Sequence, residues 1–300
     1  MCKYDVYLYG MTVITRMHLL KDSYPEPDCY SEIKKSYIFP GGETGNSAIA
    51  LASFGCKLKI DGPYLGTNTK EPYINFFNSI NVDTSGLYFD ETFLGVEDLV
   101  LIDKKTRTVF GRFEAYFSES GKQRWNKPQK VDIENAKVIG LDPFFADESI
   151  QVAKYCHELG KKYVTIDCTP DSLMHQYASA TVISNEFIQN NYKNENIEDL
   201  FGKYTNASDG LVIFTFGSKA IYYGRKNESL HKMSPYLVEV ESTLGAGDTF
   251  KAGVIYGILN HMEDKDIVSF AAATAATVCS HFPLALNPPK LDDIYSLINA

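Results

Sequence analysis

One tryptophan stands in 300 residues, and no two cysteines are spaced as CxxC. The six cysteines (Cys2, Cys29, Cys56, Cys156, Cys168 and Cys279) are scattered, which favours reduced thiols over a disulfide framework or a zinc site. The histidines are equally dispersed and none pairs at ligand spacing, so a structural metal site is not expected. Long apolar runs are also missing. Leu211–Phe216 and Phe270–Cys279 are the longest, well short of the ~20 residues of a membrane span. The first residues, MCKYDVYLYG, lack the apolar core of a signal segment. Positive charge is scarce: 29 Lys and Arg against 38 Asp and Glu leave a net charge of −9. That balance excludes a broad grip on nucleic acid or an anionic membrane and leaves room only for a local basic pocket. A cytoplasmic protein acting on a small molecule is expected.

What is present is a regular alternation. Strand patterns at Val6–Tyr9, Leu58–Ile60, Val138–Leu141, Tyr163–Ile166, Thr181–Ser184 and Leu211–Phe216 alternate with helical ones, among them Asn46–Phe54, Glu148–Leu159 and Ile197–Tyr204. Helical patterns at Ala246–Asn260, Asp264–His281 and Lys290–Ile298 close the chain. This order predicts one α/β domain over residues 1–300, a doubly wound and mainly parallel sheet flanked by helices. Segments near 12–40 and 92–117 break the rhythm; 96–117 alternates like two strands joined by a turn at 103–106. Together they are expected to form a small β lid over the ligand edge of the sheet.

One stretch carries chemistry. In ESTLGAGDTF (241–250), Gly245 and Gly247 permit unusual torsions just before a helix whose free N–H groups and positive dipole end suit an anion. Asp248 follows at once. A carboxylate beside a phosphate is repulsive unless it serves a third group, such as a hydroxyl about to attack phosphorus. An N-terminal helix cap explains the same residues. From this stretch alone both readings stand, and the loop is not a GxxxxGK[ST] phosphate loop.

Four segments together resemble the PfkB (ribokinase-like) carbohydrate kinase family. STLGAGDTFKAG is similar to its C-terminal signature, and PGGETGNSAIALASFG (40–55) to its N-terminal one. SNEF (184–187) resembles its strand-end N-E motif, and TFGSKA (215–220) its nucleotide strand. The resemblance spans nearly the whole chain. It implies a ribokinase-like fold and an ATP-dependent kinase acting on a hydroxyl of a small carbohydrate. Asp248 would be the general base, and Gly245, Ala246 and Gly247 would form the anion hole for the transferred phosphoryl group. Gly41, Gly42 and Asn46 would contact substrate hydroxyls. Asn185, Thr215 and Gly217 would serve the nucleotide. Mg2+ would be held largely through phosphates and water, without a dedicated protein metal site. Relatives often pair through their β lids, so the lid is also where a homodimer would form.

Other residues are weighed by position. Asp142 and Asp167 end predicted strands at the ligand edge; Asp142 is the better sugar contact and Asp167 a magnesium-network candidate. Arg112 could meet an anionic substrate group, although a surface salt bridge is its commoner use. His281 and the alanine run 271–276 read as structure, and Tyr116 and Phe117 could stack on a base.

The chain departs from the family pattern at several points. Val13 and Thr15 stand where the substrate-gripping Asn and Asp usually fall, and Ser242 replaces an acid that helps hold a monovalent cation. Ile188 replaces a glutamate after Asn185, although Glu186 is present, and Asn68 replaces an aspartate. Phosphoryl transfer is therefore better supported than the identity of the acceptor. A nucleoside kinase on the same scaffold is the alternative enzyme, and a non-catalytic sugar- or nucleotide-binding relative is the alternative of another class.

Overall fold

The computed structural model describes residues 2–103, 106–118 and 123–300. Among the described residues, twelve strands fall into two sheets. The larger runs in the order β12 (His231–Met233), β11 (Ile221–Gly224), β10 (Leu211–Thr215), β9 (Ala180–Ser184), β8 (Lys162–Ile166), β7 (Ala136–Leu141), β1 (Tyr4–Tyr9), β4 (Leu58–Asp61). From β10 to β4 every pair is parallel, and β11 and β12 add an antiparallel edge.

The parallel strands read as almost unbroken apolar runs because both faces are covered by helices. On β1, Val6 and Leu8 point to one face, where the helix Ala246–Leu259 supplies Val254 and Ile255. Tyr7 and Tyr9 point to the other, against Val152 and Cys156 of the helix Ala146–Leu159. Ala271, Ala272, Ala273 and Ala276 let the helix Asp264–Cys279 lie close against Ala246–Leu259. Chain direction across the sheet reverses between β1 and β7, so the switch point where such sheets bind ligands lies at their carboxyl ends.

The second sheet has the order β3 (Ile33–Gly41), β2 (Val13–Leu20), β5 (Glu97–Ile102), β6 (Arg107–Gly111). It is mixed: β2 and β5 are parallel and its other pairs antiparallel. Residues far apart in sequence meet because β2 and β3 leave the main sheet just after β1, and β5 and β6 return to pair with them. The lid face towards the large sheet is mostly apolar, with Met17, Val100 and Ile102 packed on Tyr37, Phe39, Leu244 and Phe282.

Two sequence expectations change. Residues Phe113–Ser118 form a helix rather than the end of a strand, with Tyr116 buried against Phe93 and Trp125. Aromatic periodicity over so few residues fits either structure, and packing decided it. β11 and β12 were not expected; at four and three residues they are too short to show an alternation. Residues 104–105 of the expected turn lie outside the described residues.

Candidate active site

A cleft of about 580 Å³ runs between the lid and the carboxyl ends of the parallel strands. Its centre is the meeting of two helix N-termini, those of Gly42–Ser53 and Ala246–Leu259. Gly245 makes the turn into the second helix possible by its backbone. Its φ is +83°, and a Cβ there would lie 3.5 Å from the Asn46 side-chain nitrogen. Thr249 N–H donates to the Gly245 carbonyl at 2.9 Å, which starts the helix, and Ala246 N–H leans 3.3 Å to the Thr243 carbonyl. Gly245, Ala246, Gly247 and Asp248 all contribute to the cleft wall. The N–H groups of Gly247 and Asp248 precede that first helical bond and are the donors such a terminus offers an anion.

Asp248 sits in the first turn, and its Oδ2 accepts a 2.7 Å hydrogen bond from Asn46 Nδ2. Ser47 Oγ, one residue on, donates to the Asp248 carbonyl at 2.9 Å and to Glu43 O at 2.6 Å. The two signature segments are therefore fastened to each other. Burial raises the Asp248 pKa, against the opposing pull of the Asn46 bond and of Lys251, whereas Asp142 pushes it further up.

Lys251, one helical turn beyond Asp248, is wholly buried and ion-paired with the equally buried Asp142. Thr44 Oγ1 and Met11 N–H donate to the other Asp142 oxygen at 2.7 and 3.1 Å. Asp142 thus lies under the cleft floor with both oxygens engaged, and the expected sugar contact is not what its surroundings offer. Glu43, beside Gly42, is on the wall. Burial first, then the nearby charges of Asp248 and Asp142, push its carboxyl up to about 8.

Gly41 and Gly42 also line the cleft, and a Cβ on Gly41 would lie 2.5 Å from Thr15 Oγ1. At the other end lie Thr215 and Gly217, after β10. Asn185 is exposed at the start of the helix Asn185–Asn191 and does not reach the wall, whereas its neighbours Ser184 and Glu186 do. Asp167 follows β8 with φ +42° and accepts from Ser184 N–H at 2.7 Å and Ser184 Oγ at 2.9 Å. Burial raises its pKa. Ile188 is core, packed with Phe201 and Phe214. Ser242 Oγ accepts from Leu244 N–H at 3.2 Å, so it shapes the turn before the loop.

Ala272, Ala275 and Ala276 line the cleft together with Tyr236, Leu237 and Val238, a largely apolar stretch of wall that suits a flat ring. His281 stays outside, bonded to the Thr277 carbonyl at 3.0 Å. Tyr116 and Phe117 are directed to Trp125 and away from the cleft. Arg112 is exposed at the end of the lid and does not line it. Arg107 does: it donates to the Thr243 carbonyl at 2.7 Å and favours ionised Asp248.

Sequence reasoning missed Glu43, Lys251, Arg107 and Asp98. For Lys251 there was a signal: a lone basic residue, three residues after Asp248, in a helix that is otherwise mostly apolar.

The chain matches the pfkB family carbohydrate kinase over residues 5–290. It belongs to that family. It is 22% identical to the ribokinase of Lactococcus lactis over 86% of this chain and 85% of that protein. It is 21% identical to a nucleoside kinase of Methanocaldococcus jannaschii over 91% and 90% of the two chains. The ribokinase of Arabidopsis thaliana, solved with ribose and ATP, superposes with a TM-score of 0.80 at 16% identity, covering 99% of each chain. PfkB kinases are phosphotransferases with an alcohol group as acceptor, and this chain is a sugar or nucleoside kinase of that family.

Proposed function

We propose that this PfkB kinase transfers the γ-phosphoryl group of ATP to a hydroxyl of a small carbohydrate, with Asp248 as the general base. The observation that carries the reading is the bond from Asn46 to Asp248 at the junction of two helix N-termini. Asn46 spends one donor on Oδ2 and fixes the carboxylate. Its carbonyl oxygen is left to accept from a substrate hydroxyl. The other Asp248 oxygen takes the proton of the attacking hydroxyl as the new O–P bond forms and the bond from the γ-phosphorus to the β-bridging oxygen breaks, releasing ADP. The amides of Gly247 and Asp248 and the Arg107 guanidinium offset charge on the transferred group. The buried Lys251–Asp142 pair holds its helix beneath the reacting atoms and keeps a cation near Asp248.

The nucleotide would lie along Thr215, Gly217 and the alanine face, in a fold shared with the Arabidopsis enzyme solved with ribose and ATP. Asp167 and Glu186, two carboxylates on the wall at adjacent strand ends, suit a hydrated Mg2+ bound through water and phosphate oxygens. When bound, Mg2+ supplies charge neutralisation between the phosphates.

The test is ADP release over a panel of neutral sugars, sugar phosphates and nucleosides. Release that depends on a sugar supports the reading. Release only with nucleosides would move the acceptor to that class, and none with any acceptor would overturn it.

A further inference from the structure

Asp98 has no role in the phosphoryl transfer just described, yet it lines the same cleft. It is the second residue of β5 and pairs in register with Thr15 of β2 and Gly111 of β6. Thr15 stands over Gly41. Asp98 therefore faces the acceptor end, above Gly41, Gly42 and Asn46, rather than the nucleotide end.

Its environment is unusual for a carboxylate. Oδ1 is shielded from solvent and accepts no hydrogen bond. Buried carboxylate oxygens are nearly always paired, because removing them from water without a partner is costly. The neighbouring lid side chains Met17, Val100 and Val109 are apolar and offer no donor. Burial raises the Asp98 pKa to about 6, against the pull of the Thr15 hydroxyl and of its own backbone N–H, neither of which reaches Oδ1. The group still ionises at neutral pH and keeps an unmet need for donors.

We propose that Asp98 is a substrate-binding residue that accepts hydrogen bonds from hydroxyls of the acceptor remote from the phosphorylated position, and that it selects a neutral, donor-rich polyol over an anionic one. This rests on the kinase reading for the place of the transferred group. Val13 and Thr15 offer no carboxylate on β2, and Asp98 supplies one from the adjacent strand of the same sheet. Charge points the same way. Asp98 and Asp248 line the cleft on this side, Glu43 is held largely protonated and brings no positive charge, and Lys251 beneath them is spent on Asp142. Arg107 lies along the lid from Asp98, opposite Ile102, and is turned to the Thr243 loop at the transfer point. An acceptor with a carboxylate or phosphate at its far end would meet ionised Asp98 there, with no cation paired to it among the described residues.

The test is calorimetric binding to the wild-type chain and to Asp98→Asn, using D-ribose, D-fructose, inosine, D-gluconate and ribose 5-phosphate. The wild type should bind at least one of the three neutral compounds and prefer it to both anions. Asp98→Asn should weaken that compound by about tenfold or more while ATP affinity stays within about twofold. The variant should melt no lower than wild type at pH 8, because a buried charge has been removed; a structural carboxylate would give the opposite. Equal affinity in both proteins, preference for an anion, or no binding of any neutral compound overturns the proposal. A compound bound through Asp98 without ADP release would instead overturn the kinase reading and leave Asp98 as its contact.

Discussion

Asn46 and Asp248, separated by 202 positions in the chain, are joined by a 2.7 Å hydrogen bond where two helices begin. The bond stabilises the charged form of Asp248 and so lowers a pKa that burial raises. Replacing Asn46 by Ala should therefore move the acidic limb of the kcat profile to higher pH. It should also reduce kcat/KM by about tenfold or more through the lost contact. A pH–rate profile of both proteins checks this; an unmoved limb would mean that the bond does not tune the base.

Glu43 predicts a second pH effect. Its folded-state pKa is raised from 4.5 to about 8, so its effect on stability is most favourable below the ordinary carboxylate range. Stability is then lost as pH rises from about 4.5 through 8, because the folded state must give up a proton it holds more tightly than the unfolded chain does. Glu43→Gln removes that penalty. Denaturant melts should find the variant more stable than wild type at pH 9, by about 1–3 kcal/mol, and indistinguishable near pH 4.

The Lys251–Asp142 pair has no exposure at either side chain. Lys251→Met should destabilise the fold by about 3–5 kcal/mol, since it leaves Asp142 charged, buried and short of a partner. Adding Asp142→Asn should recover a large part of that loss. Urea melts of the single and double variants form the required cycle.

The sequence made the parallel sheet and the two signature segments legible because each is a local pattern. Apolar strands at regular intervals need only their own residues to be recognised, and Gly245-Ala246-Gly247-Asp248 states its torsions and its charge within four positions. The site's second layer was hidden. Asp142 and Lys251 meet across 109 positions, and an aspartate at a strand end looks the same whether it faces a ligand or a buried lysine. Lid residues were hidden for another reason. Alternation places Asp98 on the same face of β5 as Val100, but only the pairing with β2 says which face looks into the cleft. Asn185 is exposed at the start of its helix, and the residues that line the cleft there are its neighbours Ser184 and Glu186.

The most direct measurement is acceptor-dependent ADP release by wild type and Asp248→Asn at saturating ATP, with ATP affinity measured on both. If Asp248 receives the proton of the attacking hydroxyl, turnover falls by at least about 100-fold while ATP binding is largely retained. Near-normal turnover in Asp248→Asn would contradict the account.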